Sequence, residues 1–121
     1  MKEKDKVTPK ILHNPRCSKS RATLQLLQDH GFEPEIVLYL ETPPDAAQLR
    51  SIIAKLGLSP GQLIRKGESE YAELGLDHPD ITDEQLIEAM VSTPRLIERP
   101  IVLANGKAAV GRPPESVLSI L

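Results

Sequence analysis

The sequence predicts an α/β fold: one mixed sheet covered by helices, built from a βαβ unit and a ββα unit with a helical block over about 43–95 between them. Three observations carry this reading. Two short apolar runs, around residues 11–12 and 35–40, flank a stretch with helical patterning. A middle region contains Ser-Pro and Thr-x-x-Gln helix starts ahead of apolar residues at helical spacing. Near the end, Asn105-Gly106 joins two strand-like runs. A chain of 121 residues fits a single domain, 1–121.

Each element follows in order. Residues 1–7 carry charges of both signs and are expected to be disordered. Ile11 and Leu12 form a short strand that enters the loop His13-Asn14-Pro15. Ser18 or Ser20 caps a helix with Ala22, Leu24, Leu26 and Leu27 among its apolar positions, and Gly31 ends it. Residues 35–40 include Ile36, Val37, Leu38 and Tyr39, the β-branched and aromatic content of a buried strand. Strand, helix, strand at this spacing predicts a parallel pair with a right-handed crossover.

After Pro43-Pro44, Asp45 leads into Leu49, Ile52, Ile53 and Leu56 at i, i+3, i+4, i+7, closed by Gly57. Ser59-Pro60 is an N-cap followed by a first-turn proline, opening a short helix through Leu63 and Ile64. Residues 69–74 form another turn or two before Gly75. Thr82 with Gln85 is a capping box leading into Leu86, Ile87, Met90 and Val91, and Pro94 stops that helix. Residues 101–104 and 107–110 make a hairpin, because Asn-Gly supplies the two positive-φ residues a type I′ turn requires. Pro113-Pro114 then starts a final helix with Val117, Leu118, Ile120 and Leu121. A βαβ unit and a ββα unit sharing one core is a thioredoxin-like arrangement, with the helical block as an insertion between its halves.

Bulk properties narrow the function. Forty per cent of residues are hydrophobic and 26% charged, the balance of an ordinary globular chain. A net charge of −2 provides no global field to recruit nucleic acid or an anionic membrane, so neither is expected as a partner. No run approaches the roughly 20 apolar residues that span a bilayer, and the charged start lacks the apolar core of a signal peptide. A lone cysteine excludes an internal disulfide and suits a reducing compartment, so the protein is expected in the cytoplasm. With no exposed apolar stripe, a monomer is expected.

Chemistry concentrates in residues 13–21. Cys17 sits where a loop becomes a helix start, a place with unpaired backbone N–H groups and the positive end of the macrodipole. Arg16, Lys19 and Arg21 add charge, and Ser18 and Ser20 add hydroxyls. Such surroundings favour a reactive thiolate, and they also bind small oxyanions. A lone cytosolic cysteine is otherwise a buried small apolar residue, but this neighbourhood is basic and polar. A phosphatase-type loop would need arginine where Thr23 stands, and no glycine-rich nucleotide motif occurs. A second cysteine at position 20 would make a self-sufficient dithiol; Ser20 is there instead, so an outside thiol must resolve an oxidised Cys17. His13 either acts as a base or orients the thiol, or is a loop histidine facing solvent. No metal-ligand spacing appears. Arg65, Arg99 and Arg112 each border an inferred element and offer planar donor forks suited to oxyanions, although each taken singly reads better as an exposed surface arginine.

These residues resemble a known family. The string His13-Asn14-Pro15-Arg16-Cys17-Ser18-Lys19-Ser20-Arg21, then Leu63-Ile64-Arg65-Lys66, Glu98-Arg99-Pro100-Ile101-Val102 and Gly111-Arg112-Pro113 resemble motifs of the glutaredoxin-linked arsenate reductases, in its short subgroup. The resemblance covers residues 11–121. It implies that Cys17 is the nucleophile toward arsenate, that His13 lies near it, and that Ser20 hydrogen-bonds its thiolate. It further implies that Arg65, Arg99 and Arg112 bind the oxyanion and its thiol adduct, and that Pro100 is cis. Under the same resemblance no cofactor is bound; glutathione is co-substrate and glutaredoxin the partner. Two alternatives stay open: a glutathione-linked thiol oxidoreductase acting on another substrate, or a non-enzymatic regulator that binds RNA polymerase. The branch with that second role generally carries Cys-x-x-Cys, where this chain has Ser20.

Overall fold

A computed structural model describes residues 8–121, so the disorder expected of residues 1–7 lies outside the described residues. The chain divides into two compact units. One comprises the chain up to Leu38 together with Arg99–Leu121; the other is Tyr39–Glu98, which contains the block expected at about 43–95.

The first unit holds the sheet. Strand β1 (Lys10–Leu12) leads through a loop to helix α1 (Ser18–Asp29) and on to strand β2 (Glu35–Val37). Strands β3 (Ile101–Ala104) and β4 (Lys107–Val110) form the hairpin, and a 3₁₀ helix over Pro114–Ile120 follows. The sheet order is β2-β1-β3-β4. Strand β1 pairs parallel with β2, Ile11 opposite Ile36, and antiparallel with β3, Ile11 opposite Val102. The hairpin turns on Asn105 at φ 56 and Gly106 at φ 73, as the Asn-Gly signal predicts. The Asn105 side chain also donates to the Ile120 carbonyl at 2.8 Å, tying the turn to the last helix. Ile11, Leu27, Val102, Ala104, Val117 and Ile120 are the core, joining the sheet to α1 and the 3₁₀ helix.

Three expectations are corrected here. Strand β2 stops at Val37 instead of reaching Leu40, because β1 offers only three residues to pair; the last rung is the His13 N–H donating to the Val37 carbonyl at 2.9 Å. Nor is β2 buried. It is an edge strand with one neighbour, and Ile36 is 46% exposed. The final helix is 3₁₀, not α. Its buried residues Val117 and Ile120 are three apart, which suits three residues per turn.

The second unit is helical: α2 (Ala46–Leu56), α3 (Pro60–Leu63), α4 (Ser69–Glu73) and α5 (Asp83–Ser92), then a 3₁₀ turn over Pro94–Leu96. Helix α2 opens on a capping box. Asp45 accepts from the Gln48 N–H at 2.8 Å while Gln48 accepts from the Asp45 N–H at 2.9 Å. Thr82 and Gln85 do the same for α5, at 3.1 and 2.8 Å. Leu49, Ile52 and Ile53 of α2 and Leu86, Ile87 and Met90 of α5 are buried where these helices pack together. A bridge pairs Ile64 with Ile97, flanked by Arg65 N–H to Leu96 O at 2.7 Å and Glu98 N–H to Leu63 O at 3.1 Å. Among the described residues no helix is long and apolar enough to cross a membrane.

Candidate active site

The loop after β1 closes on itself before α1 begins. The Cys17 N–H donates to the Asn14 carbonyl at 3.0 Å, and the Arg16 N–H to the Asn14 side chain at 3.0 Å. Cys17 is the N-cap of α1, not Ser18 or Ser20 as the sequence suggests: its backbone is extended at φ −97, ψ 124, and its carbonyl accepts the Arg21 N–H at 3.0 Å. Serine, threonine or aspartate at that position would spend its side-chain oxygen on an N–H of the first turn. Cysteine makes no such bond, so the side chain at the cap leaves the N–H groups of that turn available, and no acidic residue occupies the first turn. A small anion fits that field.

Cys17 is 8% exposed, and the Arg112 guanidinium reaches it from the other end of the chain, with Nη2 at 3.9 Å from Sγ. Arg112 is aimed by its own neighbours. Its Nε donates to the Arg99 carbonyl at 2.9 Å, and the preceding Gly111 N–H donates to the Pro100 carbonyl at 2.9 Å. The peptide bonds Arg99–Pro100 and Arg112–Pro113 are both cis. Gly111 lies in a slot: a Cβ there would stand 2.5 Å from Thr23 Oγ1 and 2.8 Å from Pro100 Cγ. The Nε and Nη1 atoms of Arg99 are shielded from solvent.

His13 is buried, which excludes the solvent-facing loop histidine. Its Nδ1 lies 2.6 Å from Ser20 Oγ, and that same oxygen accepts the Asn14 N–H at 3.0 Å. Burial lowers the His13 pKa below 6.5 and the nearby Arg21 charge lowers it further, so the ring is neutral near pH 7. The Ser20 hydroxyl, implied by the resemblance to face the thiolate, is here engaged by His13 and Asn14. The Arg21 Nη1 donates to the Pro15 carbonyl at 2.9 Å, clasping the loop from outside. Arg65 belongs to the second unit, where it pairs with Glu68 at 3.2 Å and Glu98 at 3.6 Å; Glu68 also takes Arg95 at 3.0 Å.

Cys17, His13, Ser20, Arg21, Arg99, Pro100 and Arg112 thus fall in one unit, and Arg65 in the other. Sequence reasoning gave no role of their own to Asn14, Thr23 and Gly111. Gly111 had a signal, a glycine just before Arg-Pro; Thr23 had none, since only the fold places it under that glycine. The arrangement is suited to nucleophilic attack by a thiolate on a tetrahedral oxyanion held by arginine and backbone N–H groups.

The ArsC family model matches residues 12–120, nearly all of the described chain. The chain belongs to the ArsC family. Among its relatives, the uncharacterized protein YfgD of Escherichia coli (strain K12) is 59% identical over 113 residues, 93% of this chain and 95% of that protein. An arsenate reductase of Neisseria meningitidis is 53% identical over 113 residues, covering 93% and 97% respectively. The solved structure of an arsenate reductase from Vibrio cholerae is similar with a TM-score of 0.93 at 46% identity, covering 95% of this chain and 98% of that one. The ArsC fold is therefore the thioredoxin-like α/β arrangement that the order of elements predicts. In this ArsC chain the loop with Cys17 and the Gly111-Arg112 turn are the two pieces that meet at the thiol.

Proposed function

We propose that this protein is an arsenate reductase in which Cys17 is the nucleophile and glutathione and glutaredoxin supply the electrons. The observation that carries the reading is the Arg112 Nη2 at 3.9 Å from the Sγ of a helix-capping cysteine, in a chain whose ArsC relatives include proteins named arsenate reductase. The Cys17 thiolate attacks arsenic; an S–As bond forms and one oxygen leaves as water. Glutathione displaces a second oxygen as water and forms a second S–As bond. The glutaredoxin thiolate then attacks the glutathione sulfur. An S–S bond forms, the As–S pair stays on the metalloid, and arsenic(V) becomes arsenic(III). Water cleaves the remaining S–As bond, releasing arsenite and the Cys17 thiol.

Arg112 is assigned to the developing oxyanion charge, with Arg99 as its companion in binding. His13 and Ser20 hold the loop that presents the thiol. The external thiols follow from the single cysteine and fit a monomer working in a reducing cytoplasm. The test is arsenate-dependent NADPH oxidation through glutathione reductase, with glutathione and glutaredoxin present. Wild type is expected to turn over and Cys17→Ser to be inactive; full activity in that variant would end this reading.

A further inference from the structure

The side chains of Arg16 and Lys19 take no part in the geometry above. Both are exposed and flank Cys17. Residues 11–28 contain no aspartate or glutamate, and among the described residues no carboxylate pairs with either side chain. The neighbouring cations are committed otherwise: Arg21 to the Pro15 carbonyl, Arg112 to the Arg99 carbonyl and Sγ. Among the described residues, the loop and first helical turn that carry this almost buried thiol therefore hold two exposed cations with no carboxylate partner. The chain has one cysteine, so every cycle that oxidises Cys17 brings an outside thiol to this loop.

We infer that Arg16 and Lys19 form the docking subsite for the carboxylates of a small anionic thiol peptide of the glutathione type. This rests on the reading of Cys17 as a reacting thiol. Charge selects the occupant: a thiol flanked by two free carboxylates matches two exposed cations one position before and two positions after Cys17, and a thiol without carboxylates does not. In the proposed chemistry the oxyanion bonds at the shielded sulfur, where Arg112 already stands, and calls on neither residue.

The elementary step can be followed without arsenate. Cys17 thiolate attacks oxidised glutathione; the Cys17–glutathione S–S bond forms, the original S–S bond breaks, and glutathione leaves as thiolate. We would measure this rate by mass spectrometry with oxidised glutathione and with its tetraethyl ester, which keeps the amino groups but lacks every carboxylate, for wild type and for Arg16→Gln/Lys19→Gln. Taking the ratio of the two rates cancels any change in Cys17 reactivity common to both probes. Wild type is expected to prefer the anionic disulfide, and the double variant to lose about five- to tenfold of that preference, in line with two exposed charge contacts. In wild type, salt should erode the preference. An unchanged ratio overturns the proposal. In the coupled assay the variant should raise the KM for glutathione by a similar factor and more than it raises the KM for arsenate; an equal rise in both also overturns it. A wild type that exchanges with oxidised glutathione yet never reduces arsenate would sink the proposed function and leave this subsite standing.

Discussion

Arg112 Nη2 stands 3.9 Å from Cys17 Sγ although 95 positions separate the two residues in the chain. The contact exists because β1 and β3 are neighbours, which brings the loop after β1 and the turn after β4 to the same place. Replacing Arg112 by alanine should lower kcat/KM for arsenate about a hundredfold, the scale of losing one charge-stabilising donor. Arg112→Lys should recover only part of this, since lysine keeps the charge but lacks the planar Nε that bonds the Arg99 carbonyl. Steady-state kinetics decides it, and a lysine variant equal to wild type would show that the fork is irrelevant.

Gly111→Ala should hurt twice. The new Cβ would press on Thr23 Oγ1 at 2.5 Å and Pro100 Cγ at 2.8 Å, and Thr23 is fully buried. Overpacking of this kind costs about 1–3 kcal/mol, so thermal melting should show a lower Tm. The same push shifts Arg112, so kcat/KM should fall even at temperatures where the variant is folded. Adding Thr23→Ala removes two of the three close contacts and should restore part of the stability. No recovery in the double variant would mean that Pro100 alone sets the slot.

His13 gives a pH signature. Its pKa lies below 6.5, first through burial and then through Arg21. The unfolded chain therefore binds more protons in the window just below 6.5, and stability must fall as pH drops through it. Above the unfolded value the full contribution is present. Comparing Tm at about pH 7.5 and about pH 5, wild type should lose more than His13→Gln does. An NMR titration of the His13 ring with a midpoint above 6.5 would reverse the sign.

Thr82→Ala tests the other unit. It removes the oxygen that accepts the Gln85 N–H, at a cost of about 1 kcal/mol for a lost N-cap. Denaturant melts should register the loss, and the rate of Cys17 alkylation in the folded protein should not change.

Local physics made much of this fold legible. The Asn105-Gly106 turn and the Thr82 capping box depend on residues a few positions apart, and both stand where the sequence put them. What depends on partners across the chain was not legible. Strand β2 was read too long and too buried because its composition suits a central strand, while the three-residue length of β1 and the edge position decide otherwise. The helix start slipped for a related reason. Ser18 and Ser20 are better caps by propensity, yet Cys17 takes the position and Ser20 turns inward to His13. Within the candidate site, Cys17 was recognisable from its basic, polar surroundings. That Arg112 would be the arginine beside its sulfur, and that Gly111 must be small to allow it, required the sheet order.

The split of the first unit across the sequence has a consequence for the protein's birth. On the ribosome the loop with Cys17 emerges early, but the hairpin strand β3 that pairs with β1, and Arg112 beyond it, are added only after the whole of Tyr39–Glu98. The nascent chain therefore carries its thiol without its guanidinium for most of synthesis, and the two can meet only when translation has passed the last turn.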